Sequence, residues 1–171
     1  MTKRLYFLLL LLMSGTSLVA QSLFQPLPPA KSAPLAVDDP LDLVAPATYS
    51  RLTDPAALSK QLPLDRPTEL TLPTPGGGLI TFRLQPYEIL GPDLRAFLPG
   101  AYAAHGYDPK RPDRSVSVTY TPAHGLRAIV QERGAGTGSW QVRPLGTGHQ
   151  PPVFYRTYRT RDLAPTERRG C

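Results

Sequence analysis

Tyrosine and arginine side chains recur through residues 155–161, which read Tyr-Arg-Thr-Tyr-Arg-Thr-Arg. Aromatic rings stack on sugars and guanidinium groups attract anions, so Tyr155, Tyr158 and Arg159 are candidate residues for binding a glycan or a polyanion. The same segment also fits an ordinary β-strand in which arginine stems cover apolar surface. We favour the ordinary strand and keep the binding strip as the alternative.

Cys171 is the only cysteine and the last residue of the sequence. A single thiol excludes a disulfide within the chain, so we expect the fold to depend on its apolar core. A lone thiol in an exported protein indicates pairing with another molecule, metal binding, or a chain that stops early.

The other residue types form no catalytic constellation. The three histidines, at 105, 124 and 149, are scattered and match no spacing that is typical of a zinc site. A G-x-S-x-G motif is missing, and the glycines of 134–138 lack the lysine of a phosphate-binding loop. The acidic residues are too dispersed to form a pair for general acid–base chemistry. The sequence therefore predicts a helper or binding module without catalytic residues or a cofactor.

The first twenty residues have the features of a secretory signal peptide. Lys3 and Arg4 precede an apolar stretch over 5–13, which is too short to cross a bilayer as a helix and disfavours an uncleaved anchor. Cleavage is expected after Ala20 or within 20–22, which offers a second small-x-small site. We therefore expect a secreted or periplasmic protein whose mature chain has no transmembrane segment.

The charge of the chain is mildly basic. The formal net charge is +6, and removal of Lys3 and Arg4 with the signal peptide leaves +4. We expect no nucleic-acid partner, because the arginines fit a solvated strand face better than an anion-binding patch.

Proline dominates the region that follows the signal peptide. Eleven of the 21 prolines lie between Pro26 and Pro75, and proline has no amide hydrogen for a sheet ladder. The sequence therefore predicts a Pro-rich, flexible lead-in over 21–43. A strand over 47–52 and a two-turn helix follow, since Asp54 and Pro55 are typical of a helix start and Pro63 ends the run.

Alternating apolar and polar residues predict β-strands from residue 69 onward. Two hairpins are expected, over 69–85 and 115–130, with turns at 73–78 and 122–125. Further strands are expected over 101–107, from Trp140, and over 153–160, with a polar loop at 108–113. A second short helix is predicted near 93–98, where Leu94, Phe97 and Leu98 have helical spacing and would pack on the sheet.

These elements predict a mainly β fold, an antiparallel sheet or a sandwich-like domain with one or two short helices. The folded domain is expected to span residues 44–165, and a basic tail over 166–171 ends in Cys171.

Several segments together resemble the N-terminal propeptide region of secreted bacterial reprolysin-like zinc metalloproteases. The likeness covers about residues 44–171, and it lies in the order and spacing of pieces that are individually weak. The matching pieces are Tyr49 to Leu52 with the helix of 54–62, the hairpin pieces 70–73 and 81–83, the stretch 94–99, Asp108-Pro109 before 115–121, the strand 125–129 and the closing strand 155–162.

The resemblance implies a role without catalysis. In that family a catalytic zinc domain follows the propeptide, whereas this sequence ends at Cys171. The propeptide's role would be to assist folding of a zinc metalloprotease domain and to block its cleft. Because metzincin-type propeptides often place a thiolate on the catalytic zinc, Cys171 is a candidate zinc ligand in trans.

A second hypothesis belongs to a different class of function. A free-standing, secreted β-module would bind a glycan or a surface polymer through Tyr155, Tyr158 and Arg159. Under either hypothesis the chain is expected to act by binding a partner, a metalloprotease domain or a polymer.

Overall fold

The computed structural model describes residues 22–28, 46–88, 96–134, 138–145 and 152–163, together with Lys31 and Gly91. Nine strands and one α-helix make up this part of the chain. In chain order they are β1 Phe24–Pro26, β2 Thr48–Leu52, α1 Pro55–Gln61, β3 Thr68–Pro73, β4 Leu79–Pro86, β5 Tyr102–Asp108, β6 Arg111–Thr121, β7 Gly125–Glu132, β8 Ser139–Pro144 and β9 Phe154–Arg159, followed by a 3-10 turn at Thr160–Asp162.

All nine strands belong to one antiparallel sheet that is nearly closed into a barrel. Their order is β1-β2-β9-β8-β7-β6-β5-β4-β3, and the two edge strands, β1 and β3, contact each other. Near this seam the Thr48 hydroxyl donates a hydrogen bond to the Thr74 carbonyl oxygen at 3.1 Å. The predicted mainly β, antiparallel fold is confirmed, as a single curved sheet.

Period-two alternation places one row of side chains from each strand inside the barrel. Trp140 packs near Phe82, with 6.4 Å between ring centroids, and Phe24 meets Tyr155 edge-on at 5.1 Å. Aromatic pairs in this geometry add to the stabilisation that comes from buried area. The other core residues include Leu52, Leu58, Leu70, Leu72, Leu84, Val116, Val118, Leu126, Ala128, Val130 and Val142.

Helix α1 begins and ends where the sequence predicts. The Asp54 carboxylate accepts a hydrogen bond from the Ala57 amide at 2.9 Å, and Pro55 occupies the first turn. The helix buries Leu58 in the core. Its last residue, Gln61, also donates a side-chain hydrogen bond to the Glu69 carbonyl oxygen at 2.9 Å. The helix therefore covers part of the free edge of β3, which otherwise exposes backbone groups.

Both predicted hairpins are present. Strands β3 and β4 pair from Thr68↔Leu84 to Pro73↔Leu79, and the turn between them places Gly77 at a φ of +78°. Strands β6 and β7 pair through eight residues on each strand, and their turn ends at Gly125 with a φ of +70°. A residue with a Cβ is disfavoured at these φ values, which explains why glycine occupies both positions.

The predicted flexible lead-in contains a strand of the sheet. Strand β1 lies within 21–43 and pairs with β2, Phe24 opposite Leu52 and Pro26 opposite Ser50. Burial of the Phe24 ring provides the stabilisation, and Pro26 is tolerated because β1 is an edge strand. The prediction rested on the proline content and did not consider Phe24, the one large aromatic residue of the segment. Most of 29–45 lies outside the described residues.

Two local predictions between β4 and β6 are wrong. Ala96 and Phe97 are helical, as predicted for 93–98, but Phe97 is 81% exposed and Leu98 is 43% exposed, so neither packs on the sheet. Leu94 lies outside the described residues. The predicted loop over 108–113 is a two-residue turn, since a register shift at Tyr107/Asp108 lets β6 begin at Arg111.

Candidate functional site: the exposed face of strands β4 to β7

The three residues predicted to bind a polymer do not form a surface strip. Tyr155 is 0% exposed inside the barrel, where its hydroxyl accepts a hydrogen bond from the Leu126 amide at 3.2 Å. Tyr158 points to the opposite side of β9, is 2% exposed and donates a hydrogen bond to Gln141 Oε1 at 3.1 Å. Arg159 is partly exposed, opposite Trp140. The alternation of β9 separates these side chains, so neither tyrosine ring offers a face for stacking.

Burial also governs the ionisation of the interior tyrosines. Removal from water raises the pKa of Tyr155 to about 12, and the hydrogen bond from Leu126 offsets part of that effect. Burial likewise raises the pKa of Tyr102 to about 12. Both phenols therefore remain neutral under ordinary conditions and serve the core.

Cys171, the predicted basic tail and the predicted signal peptide lie outside the residues that the structure describes. Within the described ranges, no group of three or more His, Cys, Asp or Glu side chains is arranged to hold a metal ion. The zinc-ligand role of Cys171 therefore stays a prediction.

A buried ion cluster closes the barrel where β5, β6 and β7 meet. Arg114 contacts Asp108 through Nη1 at 2.7 Å and Glu132 through Nε at 2.6 Å. The second oxygen of Asp108 accepts a hydrogen bond from the Lys110 amide at 2.8 Å. Because the guanidinium joins both carboxylates by short charge-assisted hydrogen bonds, this cluster fits a structural role better than proton transfer.

The outer positions of β4 to β7 form a broad accessible surface, which we call the exposed face. Its side chains are aromatic, amide, hydroxyl and guanidinium groups, with Ile129 as the exposed aliphatic residue near its centre. Its members are Arg83, Gln85, His105, Tyr107, Ser115, Ser117, Thr119, Arg127, Ile129 and Gln131, with Tyr87 just beyond the end of β4.

The centre of the exposed face is held in a defined geometry. The rings of Tyr87 and His105 stack with 4.4 Å between centroids and an interplanar angle of 9°. His105 Nδ1 also lies 3.1 Å from the Ser117 hydroxyl on the neighbouring strand. Two contacts thus fix the imidazole, and Tyr107, 44% exposed, lies two residues further along β5. The His–Ser contact alone provides neither an oriented base nor an oxyanion site, so it does not indicate catalysis.

The net charge of the exposed face is positive. Arg83 and Arg127 are its charged side chains, and the exposed ion pair of Arg111 and Asp113, which adds one charge of each sign, borders it on the outer side of β6. Glu69, on edge strand β3, lies opposite Arg83. The face therefore presents a positive potential around an aromatic centre.

The outer side of β8, β9 and β2 differs from the exposed face. Gln141, Arg156, Tyr158 and Tyr49 occupy outer positions there, yet all four are buried. The register places Arg143 directly opposite Arg156, and Arg143 donates a hydrogen bond through Nε to Gln141 Oε1 at 2.8 Å. Accessible binding groups are therefore concentrated on β4 to β7.

Two grooves are present on the described surface. One, of about 520 Å³, runs between β1 and α1, away from the exposed face, and includes Gln25, Thr53 and Asp54. The other, of about 270 Å³, lies beside the turn between β6 and β7 at His124 and includes Thr119 and Arg127 at the end of the exposed face. Asp54 already caps α1, and neither lining brings together groups that suggest a reaction.

The residues of the exposed face were not recognised as a site from the sequence, although the signal was available. The alternation that predicts Phe82 and Leu84 as buried also places Arg83 and Gln85 outside. To recognise that outward residues of different strands form one surface, the pairing between strands must be known. The structure shows this pairing, with Arg83 opposite Tyr107.

Comparison with protein-family models, with curated proteins and with solved structures gives no match to this chain. Among the described residues, no helix combines the length and the apolar character needed to cross a bilayer.

Proposed function

We propose that this chain is an exported, non-catalytic, propeptide-like domain that assists the folding of a zinc metalloprotease domain and masks its cleft. The observation that carries the proposal is that most of the segments resembling reprolysin-like propeptides contribute buried residues to one sheet. Tyr49 and Leu52 lie on β2, which pairs with β9, the closing strand of the resemblance. Leu126 and Ala128, from the strand over 125–129, are in the same core.

The resemblance therefore involves a set of residues that depend on each other for burial. The helix piece contributes Leu58, and the first hairpin contributes Leu70 and Phe82. The exception is the stretch 94–99, where Phe97 is exposed. Because core residues specify a fold and not a partner, this agreement supports a propeptide-like domain, and the masking role rests on the family resemblance.

The number of residues between the last described residue and Cys171 limits how far the thiol can lie from the barrel. Leu163 is buried after the 3-10 turn that follows β9. Cys171 is eight residues further along the sequence, and eight extended residues span at most about 26–29 Å. A thiolate within that radius would occupy the coordination position that a catalytic zinc needs for water.

The test uses a reprolysin-like catalytic domain encoded in the same genome. The domain is refolded from denaturant with and without the secreted form of this chain, and the yield and the peptidase activity are measured. We expect a higher yield of folded protease and a lower activity while the chain is bound. If neither the yield nor the activity changes, the proposed function is wrong.

The role of the thiol is tested separately with Cys171→Ser, and Gly170→Ser is the matched control that alters the tail but keeps the thiol. We expect Cys171→Ser to weaken inhibition by about tenfold or more, since each tenfold corresponds to about 1.4 kcal/mol. With cobalt in place of zinc, the wild-type complex should show a thiolate-to-cobalt charge-transfer band that Cys171→Ser lacks. If Cys171→Ser inhibits as strongly as the wild type, Cys171 is not a zinc ligand. The proposed assistance in folding would then be tested by the yield of refolded protease alone.

A further inference from the structure

We infer that the exposed face of β4 to β7 binds an acidic, linear polysaccharide. This site differs from the strip over 155–161 that the sequence indicated, and it does not depend on the proposed masking of a protease. Three properties of the face carry the inference: its aromatic groups, its neutral polar groups, and the placement of its two arginines.

The aromatic groups suit the apolar side of a sugar ring. The C–H groups of a pyranose carry a partial positive charge and pack well on the negative face of an aromatic ring. Tyr107 is 44% exposed, and the stacked pair of Tyr87 and His105 lies beside it. Since the stack and the Ser117 contact already hold the imidazole in place, little side-chain entropy is lost when a ligand binds there.

The neutral polar groups suit sugar hydroxyls. Gln85 lies directly opposite His105, Ser115 lies opposite Tyr107, and Gln131 lies opposite Ser115. Amides and hydroxyls both donate and accept hydrogen bonds, so they match ligands whose hydroxyl groups do the same. These side chains are exposed or partly exposed, and they flank the aromatic centre on β5 from β4 on one side and from β6 and β7 on the other.

The arginines indicate an acidic and extended ligand. Arg83 and Arg127 are separated by three strand spacings across the sheet and by four residues along the strands. With about 4.8 Å per strand and about 3.4 Å per residue, their Cα atoms are roughly 20 Å apart on an unrolled sheet. The line between them passes over His105 and Ser117. A chain of several sugars can therefore contact both guanidiniums and the aromatic centre, whereas a single sugar cannot.

The same composition argues against other macromolecules. A stable protein interface needs a well-packed apolar centre, but Ile129 adjoins polar residues, Ser117 opposite it on β6 and Gln131 two residues further along β7. Nucleic-acid binding relies on many phosphate contacts, and two arginines would neutralise only about two phosphates. A uronate polymer needs fewer ionic contacts, because its hydroxyl groups and ring faces contribute as well.

The test measures binding of the secreted form of the chain, without any protease, to long-chain polygalacturonate and to neutral dextran by calorimetry and affinity electrophoresis. We expect polygalacturonate to bind, dextran to bind much more weakly, and added salt to reduce the affinity. The double variant Arg83→Gln/Arg127→Gln should lose about tenfold or more in affinity, and Tyr107→Ala should lose about three- to tenfold.

Arg51→Gln is the matched control, because Arg51 is an exposed outer arginine on β2, across the barrel from the face. It should leave the affinity unchanged, and circular dichroism should show that all variants remain folded. The inference is overturned if polygalacturonate does not bind, if Arg51→Gln weakens binding as much as the double variant, or if polyglutamate or single-stranded DNA binds as tightly as polygalacturonate. Each of these results leaves the refolding test of the proposed function unaffected.

Discussion

Replacement of Tyr155 by Phe should change how the stability of the protein depends on pH. Tyr155 is buried inside the barrel, and its hydroxyl accepts the hydrogen bond from the Leu126 amide. Phenylalanine preserves the ring and its edge-on contact with Phe24 but removes both the acceptor and the titrating group. At neutral pH the variant should lose about 1–3 kcal/mol, the cost of leaving a buried amide without its partner.

The pH dependence follows from the raised pKa of Tyr155, which burial shifts from 10.0 to about 12. The unfolded chain loses this proton at a lower pH than the folded chain does, so the stabilisation is complete below pH 10 and is lost as the pH rises through 12. The wild type should lose about 1.4 kcal/mol from Tyr155 by about pH 11 and about 2.7 kcal/mol once both states are ionised. The variant lacks this loss, so the two stabilities should converge as the pH rises.

The assay is urea unfolding at a series of pH values from about 8 to 11, with free energies from linear extrapolation. Trp140 is the only tryptophan and is buried near Phe82, which makes its fluorescence a suitable probe. Titration of the other groups, including Tyr102, cancels in the difference between wild type and variant. Parallel stability curves across this pH range would refute the reasoning, because they would mean that Tyr155 ionises equally in both states.

Four other substitutions test the packing. Arg114→Met should destabilise the protein by about 3–5 kcal/mol in urea unfolding, because it leaves two nearly buried carboxylates without their cation; a loss below about 1 kcal/mol would contradict this. Gly125→Ala should cost about 2 kcal/mol or more, since φ is +70° and the added Cβ would lie 2.7 Å from the Tyr155 hydroxyl oxygen, and a neutral effect on the melting temperature would disprove the crowding. Phe97→Ala should change stability by less than about 0.5 kcal/mol while Phe82→Ala costs about 3–5 kcal/mol, and equal effects would show that Phe97 packs on the protein.

The sequence predicts most of the sheet because local signals and burial agree there. Strands β3, β4, β6 and β7 alternate strictly, and glycines mark the turns at 77 and 125, so register and inward face follow from period two. Phe24 gave no such signal, since one aromatic residue among prolines becomes a core residue only after β2 is in place to pair with it. Asp108 was predicted to lie in a loop because its role also depends on a residue of another strand. It pairs with Arg114, and the register shift between β5 and β6 brings the two side chains together.

The candidate site was harder to predict because binding residues depend on neighbours from different strands. In β9, tyrosines three residues apart point to opposite sides of the strand, so the sequence Tyr-x-x-Tyr cannot form one platform in a regular strand. In β4 to β6, by contrast, Arg83, Tyr107 and Ser115 come from three strands and adjoin through cross-strand pairing.

The topology of the barrel lets the two proposed roles operate from different places. Cys171 follows β9, which is separated from β5 by β8, β7 and β6 in the order of the sheet. A polymer bound along Arg83, His105 and Arg127 would contact β4 to β7 without needing β9 or the segment that follows it. The side chains that hold the core, such as Tyr155, lie between these regions and face neither partner. Under the two proposals the polymer would contact β4 to β7 and the protease would be contacted through the sequence that follows β9, so substitutions on the exposed face and at Cys171 test them separately.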